Sequence, residues 1–403
     1  MTEMTQRRKS MSTSRRAHQL AILVVMTSAS LVGLVQGYSI PLVTLKLTAL
    51  GYGSALTGMM SALPAIGVFV SSWVAAPVAM RLPVGRLLAL STWGMGISLT
   101  LSFYLDNVAL LAVPRFMMGF CCGLIIVIGE SWVSGHTAEH RRGVLVGLYA
   151  TAFTGLQLLG PLLISLTGLD DPTGLLLILA LHGACLLMVP GASFSRLALS
   201  AHRQHNLFSL LLAAPALAIA VFAFAFFDGA VLSMLPLYGM AHGYEESLAV
   251  LLVTVLFIGD ALLQVPLGWI SDKLGTVRVH LACGGMFVLM LAGLPFSYGT
   301  GWVWANVFLL GAVAGSIYTL SLVRAGKWFS GVDLVAINAL FGVLWGVGSF
   351  SGPLVSGSLM QWYGRDGLIA ILVLLGLLFL AANALPTSTT RYADRTANQE
   401  VAE

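Results

Sequence analysis

Charge is what this sequence has least of. Only 9% of its 403 residues are Asp, Glu, Lys or Arg, against roughly a quarter in soluble proteins. With 58% hydrophobic residues and a mean hydropathy of +0.92, the composition rules out a water-soluble globular domain. Cysteine is scarce too. Cys121, Cys122, Cys185 and Cys283 all fall in apolar stretches, spaced for neither a metal site nor a disulfide, so core packing is expected. There is no Walker motif, nucleotide-binding glycine loop or paired catalytic carboxylate, so energy from ATP would need another subunit. No cofactor is implied. A cleavable leader is not expected, because the first apolar segment is long and has no small-residue cleavage site.

What the chain has in abundance is long apolar runs. Each is about 20 residues or more, enough to cross a hydrocarbon core of about 30 Å. A backbone in lipid must satisfy itself, and runs this long and continuous are helices. They fall at about 18–40, 53–77, 84–104, 108–133, 142–168 and 173–193, then at about 210–239, 245–271, 276–297, 300–325, 331–360 and 365–385. The second six repeat the first at a shift of 192 residues. Gly37 and Gly229, Gly67 and Gly259, Arg86 and Arg278, Gly119 and Gly311, Gly123 and Gly315, and Gly160-Pro161 and Gly352-Pro353 coincide without insertion. The expectation is an all-α integral membrane protein of twelve transmembrane helices in two six-helix bundles, 18–193 and 210–385. An even number of spans per unit makes this a parallel repeat. A polar linker at 194–209 and loose tails at 1–17 and 386–403 complete the division.

Basic residues set the orientation. Arg7, Arg8, Lys9, Arg15, Arg16, Arg81, Arg86, Arg141, Arg142, Arg196, Arg203, Lys273, Arg278, Arg324, Lys327, Arg391 and Arg395 fall on one side, opposed by Lys46 and Arg365. Both termini are therefore expected in the cytoplasm, with the chain multi-pass in a bacterial inner membrane. The net charge of +4 reflects this asymmetry and implies no nucleic-acid partner.

Gly268-Trp-Ile-Ser-Asp272-Lys273-Leu-Gly275-Thr-Val-Arg278, after the eighth span, resembles the cytoplasmic loop signature of the major facilitator superfamily. Arg115-Phe-Met-Met-Gly119-Phe-Cys-Cys-Gly123 resembles its fourth-helix motif, and the two Gly-Pro pairs its helix-five motif and the counterpart in helix eleven. Glu130-Ser131-Trp132, Arg142-Gly143 and Tyr149 are similar to the YcaD-like branch. One departure stands out. Met80 and Ala76 occupy the places of Asp272 and Gly268 one shift earlier, so the two-fold loop latch is incomplete.

The resemblance implies that helices one, four, seven and ten line a substrate cavity. That puts Gln36, Arg115, Glu130 and Asp228 on substrate-facing helices, with Phe224 and Gln264 as further cavity residues. Span seven also carries Phe222, Phe226 and Phe227. On span four, Arg115, Gly119, Gly123 and Ile126 share a face, with Glu130 about 60° away.

Ionisable groups at mid-bilayer are costly and so are functional candidates. A carboxylate sealed from water favours its neutral form, so Asp228, then Asp260, is expected to carry a proton. The plainer reading of Asp260 is a hydrogen bond to Gln264, one turn away. Arg115 either attracts a substrate anion or ties neighbouring carbonyls. Glu130 is read as a salt bridge to Arg141 or Arg142, and His182 as a packed, hydrogen-bonded helix residue.

Asp272 facing Arg141 and Arg142, and Arg81 and Arg86 facing Asp333, with Lys273 and Arg278 alongside, suggest a cytoplasmic gate. The alternative is that these basic residues only obey the topology rule. His136, Glu139 and His140 spell a zinc-peptidase pattern, but in a short loop with no third ligand. The function expected is a secondary transporter, not an enzyme: alternating access, proton-driven, a small organic solute, export favoured. Its partners are lipid, solute and protons, and it acts as a monomer. Import of an organic anion and a non-transporting sensor are the rivals.

Overall fold

The computed structural model describes residues 2–136, 152–192, 194, 211–212, 214–329 and 331–384. Among these the helices are α1 (Thr2–Ala49), α2 (Ser54–Arg81), α3 (Val84–Tyr104), α4 (Val108–His136), α5 (Leu159–Thr167) and α6 (Thr173–Met188). The second series is α7 (Pro215–Met240), α8 (Glu246–Leu274), α9 (Thr276–Ser297), α10 (Trp302–Trp328), α11 (Gly331–Tyr363) and α12 (Gly367–Ala384). Ten carry apolar stretches long enough to span a membrane, and two shorter apolar helices, Ala152–Thr167 and Gly367–Asn383, accompany them. The fold is an all-α membrane fold. Within α1, which begins at Thr2, the apolar span is Gln19–Ala49.

The chain divides into two compact units. One comprises Met1–Leu50 and Leu63–Ala201; the other comprises Gly51–Ala62 and His202–Glu403. In the first, α1 packs against α3, α4, α5 and α6. In the second, α7 packs against α8, α10, α11 and α12. Apart from Asp228 and Ser233 the sequence of α7 is apolar around the helix, as a helix surrounded by others requires, and 83% of an 18-residue apolar stretch of it is buried.

The duplication extends to backbone contacts. In the first unit, the Phe116 carbonyl lies on Gly67 and the Pro64 carbonyl on Gly119. In the second, the Phe308 carbonyl lies on Gly259 and the Leu256 carbonyl on Gly311, each one shift along. A Cβ at any of the four would overlap that oxygen, so α2–α4 and α8–α10 approach at a distance only glycine permits. The two Gly-Pro pairs behave differently. The helix loosens at Leu158 before Gly160-Pro161, where the backbone keeps right-handed helical angles, whereas α11 runs regularly through Pro353. An interior proline forfeits one amide donor. There Gly352 lies against the Phe226 carbonyl of α7, and Ser356 Oγ donates to the Gly352 carbonyl.

Candidate functional site

In the second unit, Asp228 and Asp260 are both buried on helices that pack together, α7 and α8. Among the described residues no hydrogen-bond donor meets the Asp228 carboxylate. Asp260 is the other buried acid of this helix pair. Gln264 Nε2 donates to Asp260 Oδ1 at 2.6 Å. This i, i+4 pair follows from the helical rise, which stacks side chains four apart on one face. Phe224, one turn before Asp228, stacks on Tyr318 of α10 with centroids 5.1 Å apart and planes at 20°. Behind it is a small apolar recess lined by Phe287, Ile317 and Phe379, too tight for an organic solute.

The first unit has a different arrangement. Arg115 of α4 is fully buried and donates through Nη1 to Ser39 Oγ at 3.3 Å and to the Ser39 carbonyl at 3.4 Å, tying α4 to α1. Gln36 is half-buried on α1, one shift before Asp228. Glu130 falls within α4, but its side chain lies outside the described residues. His182 is buried on α6, with Nδ1 2.8 Å from the Ile178 carbonyl.

Of the expected gate, Arg81, Arg86, Asp272, Lys273 and Arg278 are exposed. Lys273 Nζ sits 3.5 Å over the Trp269 ring. Arg141, Arg142 and the Asp333 side chain lie outside the described residues, as do Glu139 and His140 of the zinc-peptidase pattern.

A family model, the Major Facilitator Superfamily, matches residues 25–251 and 217–401, nearly the whole chain in two overlapping copies. The chain belongs to the Major Facilitator Superfamily. Among similar proteins is the uncharacterized MFS-type transporter YfkF of Bacillus subtilis, 24% identical over 372 residues that cover 88% of this chain and 91% of that one. Another is YcaD of Escherichia fergusonii, 26% identical over 280 residues, covering 68% and 72% respectively. The YcaD-like resemblance therefore has counterparts of that name. A D-xylose-proton symporter structure superposes with a TM-score of 0.70 at 15% identity, over 91% of this chain and 98% of its own. The nucleoside transporter NupG does so with 0.68 at 16%, over 91% and 99%. At such identities the likeness is one of fold. As a superfamily member the chain is a multi-pass membrane transporter of the secondary class, not an enzyme.

Three clusters in this superfamily member escape a reading of the sequence. Lys46 Nζ donates to the Phe103 and Leu105 carbonyls at 2.6 and 2.9 Å and pairs with Asp106 at 2.9 Å, closing the end of α3. Its repeat partner is Tyr238 and that of Asp106 is Tyr298, and these two rings meet edge-on at 5.4 Å. An ion pair in one unit is thus an aromatic corner in the other, joined by His242 stacked on Tyr298. The third cluster is buried Arg324. Its Nη1 donates to His280 Nδ1 at 2.8 Å and Asn383 Oδ1 at 2.5 Å, linking α9, α10 and α12. His280 Nε2, 3.0 Å from the Ile317 carbonyl, is therefore the protonated nitrogen of a neutral ring. The repeat shift could have flagged Lys46 and Asp106, since both members change together. Nothing local in the sequence signals the Arg324 cluster.

Proposed function

We propose that this protein is a proton-coupled transporter of a small organic solute, working by alternating access between its two repeated bundles. The observation that supports it is the pair of buried acids, Asp228 and Asp260, on neighbouring helices and without a basic partner among the described residues. Two carboxylates in one low-dielectric bundle disfavour simultaneous charge, so at least one holds a proton until water or a cation reaches it. Asp228, which no hydrogen-bond donor meets among the described residues, is the primary carrier and Asp260 the second. Arg115, bonded to Ser39 inside its own unit, is read as a helix tie rather than an anion site.

The phenylalanines of α7 and the sparse formal charge favour an amphipathic or weakly charged solute, and export over import. The protein acts as a monomer in the bacterial inner membrane with both termini inside, consistent with its one-sided basic residues. In this reading Asp272 facing Arg141 and Arg142, and Arg81 and Arg86 facing Asp333, with Lys273 and Arg278 alongside, act as the inner latch. Thermal-shift screening of solutes on the purified protein identifies a ligand, since binding to the folded state raises the melting point. Flux in proteoliposomes follows. With an imposed pH gradient, Asp228→Asn should fall to the rate seen without a gradient while solute exchange persists. Full gradient-driven flux in that variant would remove Asp228 from the mechanism, and binding without flux in the wild type would make the protein a sensor.

A further inference from the structure

The pair Gly311-xxx-Gly315 looks like a packing motif, yet its members do different work. Gly311 takes the Leu256 carbonyl of α8, as its repeat partner Gly119 takes that of Pro64. Gly315, one turn on, faces a side chain. A Cβ there would overlap Asp260 Oδ1 and lie 3.0 Å from Gln264 Nε2. The equivalent Gly123 faces Ser71 Oγ and the Val68 backbone, with no acid present. Both units therefore build the same notch, and only the second seats a carboxyl group in it. Gln264 already occupies Oδ1 as a donor, at 2.6 Å. The other buried acid of this helix pair is Asp228, on α7, which packs against α8.

We propose that Gly315 and Gln264 are positioning residues for proton handling at Asp260. The notch holds the carboxyl group with Oδ1 on the Gln264 amide, so the proton is taken up and released at Oδ2. The O–H bond forms there when a proton arrives from water and breaks when it returns to water. This rests on the proton-carrier reading of Asp260.

The test needs no solute, because the proton is the probe. pH-difference infrared spectra of the purified protein in liposomes report the C=O stretch of protonated carboxyl groups. Asp260→Asn should delete one such band, which assigns it. Gly315→Ala and Gln264→Leu should move that band to higher frequency, because the carbonyl loses its N–H donor. Gly123→Ala, which crowds the equivalent notch in the other unit, should leave it in place. Gln264→Leu adds no bulk at the notch, so it carries the test where Gly315→Ala does not fold. If Asp260→Asn leaves every carboxyl band unchanged, Asp260 takes no proton and the carrier reading of that residue falls. If the band is lost in Asp260→Asn but keeps its wild-type position in Gly315→Ala and Gln264→Leu, the positioning role alone is overturned.

Discussion

Removing the Lys46 ammonium should weaken the first unit far more than removing its acidic partner. Lys46 is 18% exposed and makes two hydrogen bonds to carbonyls at the end of α3, whereas Asp106 is 70% exposed. Charge-assisted bonds to carbonyls are worth about 1.5–3 kcal/mol each, and the helix dipole adds to them at this terminus. An exposed ion pair is worth about 0–1 kcal/mol. Water regained by the freed carbonyls offsets part of the loss. Lys46→Met should therefore cost about 2–4 kcal/mol and Asp106→Asn less than about 1 kcal/mol. Thermal unfolding in detergent, followed by tryptophan fluorescence, measures both. Added salt should change the larger effect little, because a mostly buried ammonium bonded to carbonyls is screened far less than an exposed ion pair. If Asp106→Asn destabilised as much as Lys46→Met, the ion pair would be the dominant contact and this reasoning would be refuted.

Other outcomes follow from the same packing. Gly311→Val should cost about 1–3 kcal/mol or prevent folding, since the Leu256 carbonyl occupies the added side chain's space; an unchanged melting curve would contradict the α8–α10 contact. Tyr238→Phe should lose about 1 kcal/mol with its 3.0 Å bond to Asp366, read by the same melts. Asp171, outside the membrane spans, accepts from the Thr173 amide at 2.8 Å and hydroxyl at 2.6 Å, which lowers its pKa below the ordinary carboxylate value. A lowered folded-state pKa stabilises above the unfolded value and is lost as pH falls through the folded one. The difference in melting point between wild type and Asp171→Ala should thus shrink in acid; a gap that grows in acid would overturn the assignment.

The repeated architecture was legible because two signals are local. Apolar length needs only composition, and the shift of 192 residues needs only identity of small residues at fixed intervals. The Asp260–Gln264 bond was legible for the same reason, being one helical turn. The seat of Asp260 was not. Gly315 lies 55 positions away, and a glycine facing a carboxyl group reads the same as one facing a carbonyl. Gly123, its twin, shows that the motif alone does not distinguish them.

By itself the chain's chemistry determined that it would be helical, membrane-embedded and built twice. Apolar segments of that length have no other way to satisfy their backbones in lipid. Only the tertiary structure decided which buried polar groups meet: Arg115 with Ser39, Arg324 with His280 and Asn383, Lys46 with the end of α3, and Asp260 with its notch. Hydropathy sets how deep a helix lies but not its rotation about its axis. That rotation follows from where glycines let backbones touch, and the touching places each charge.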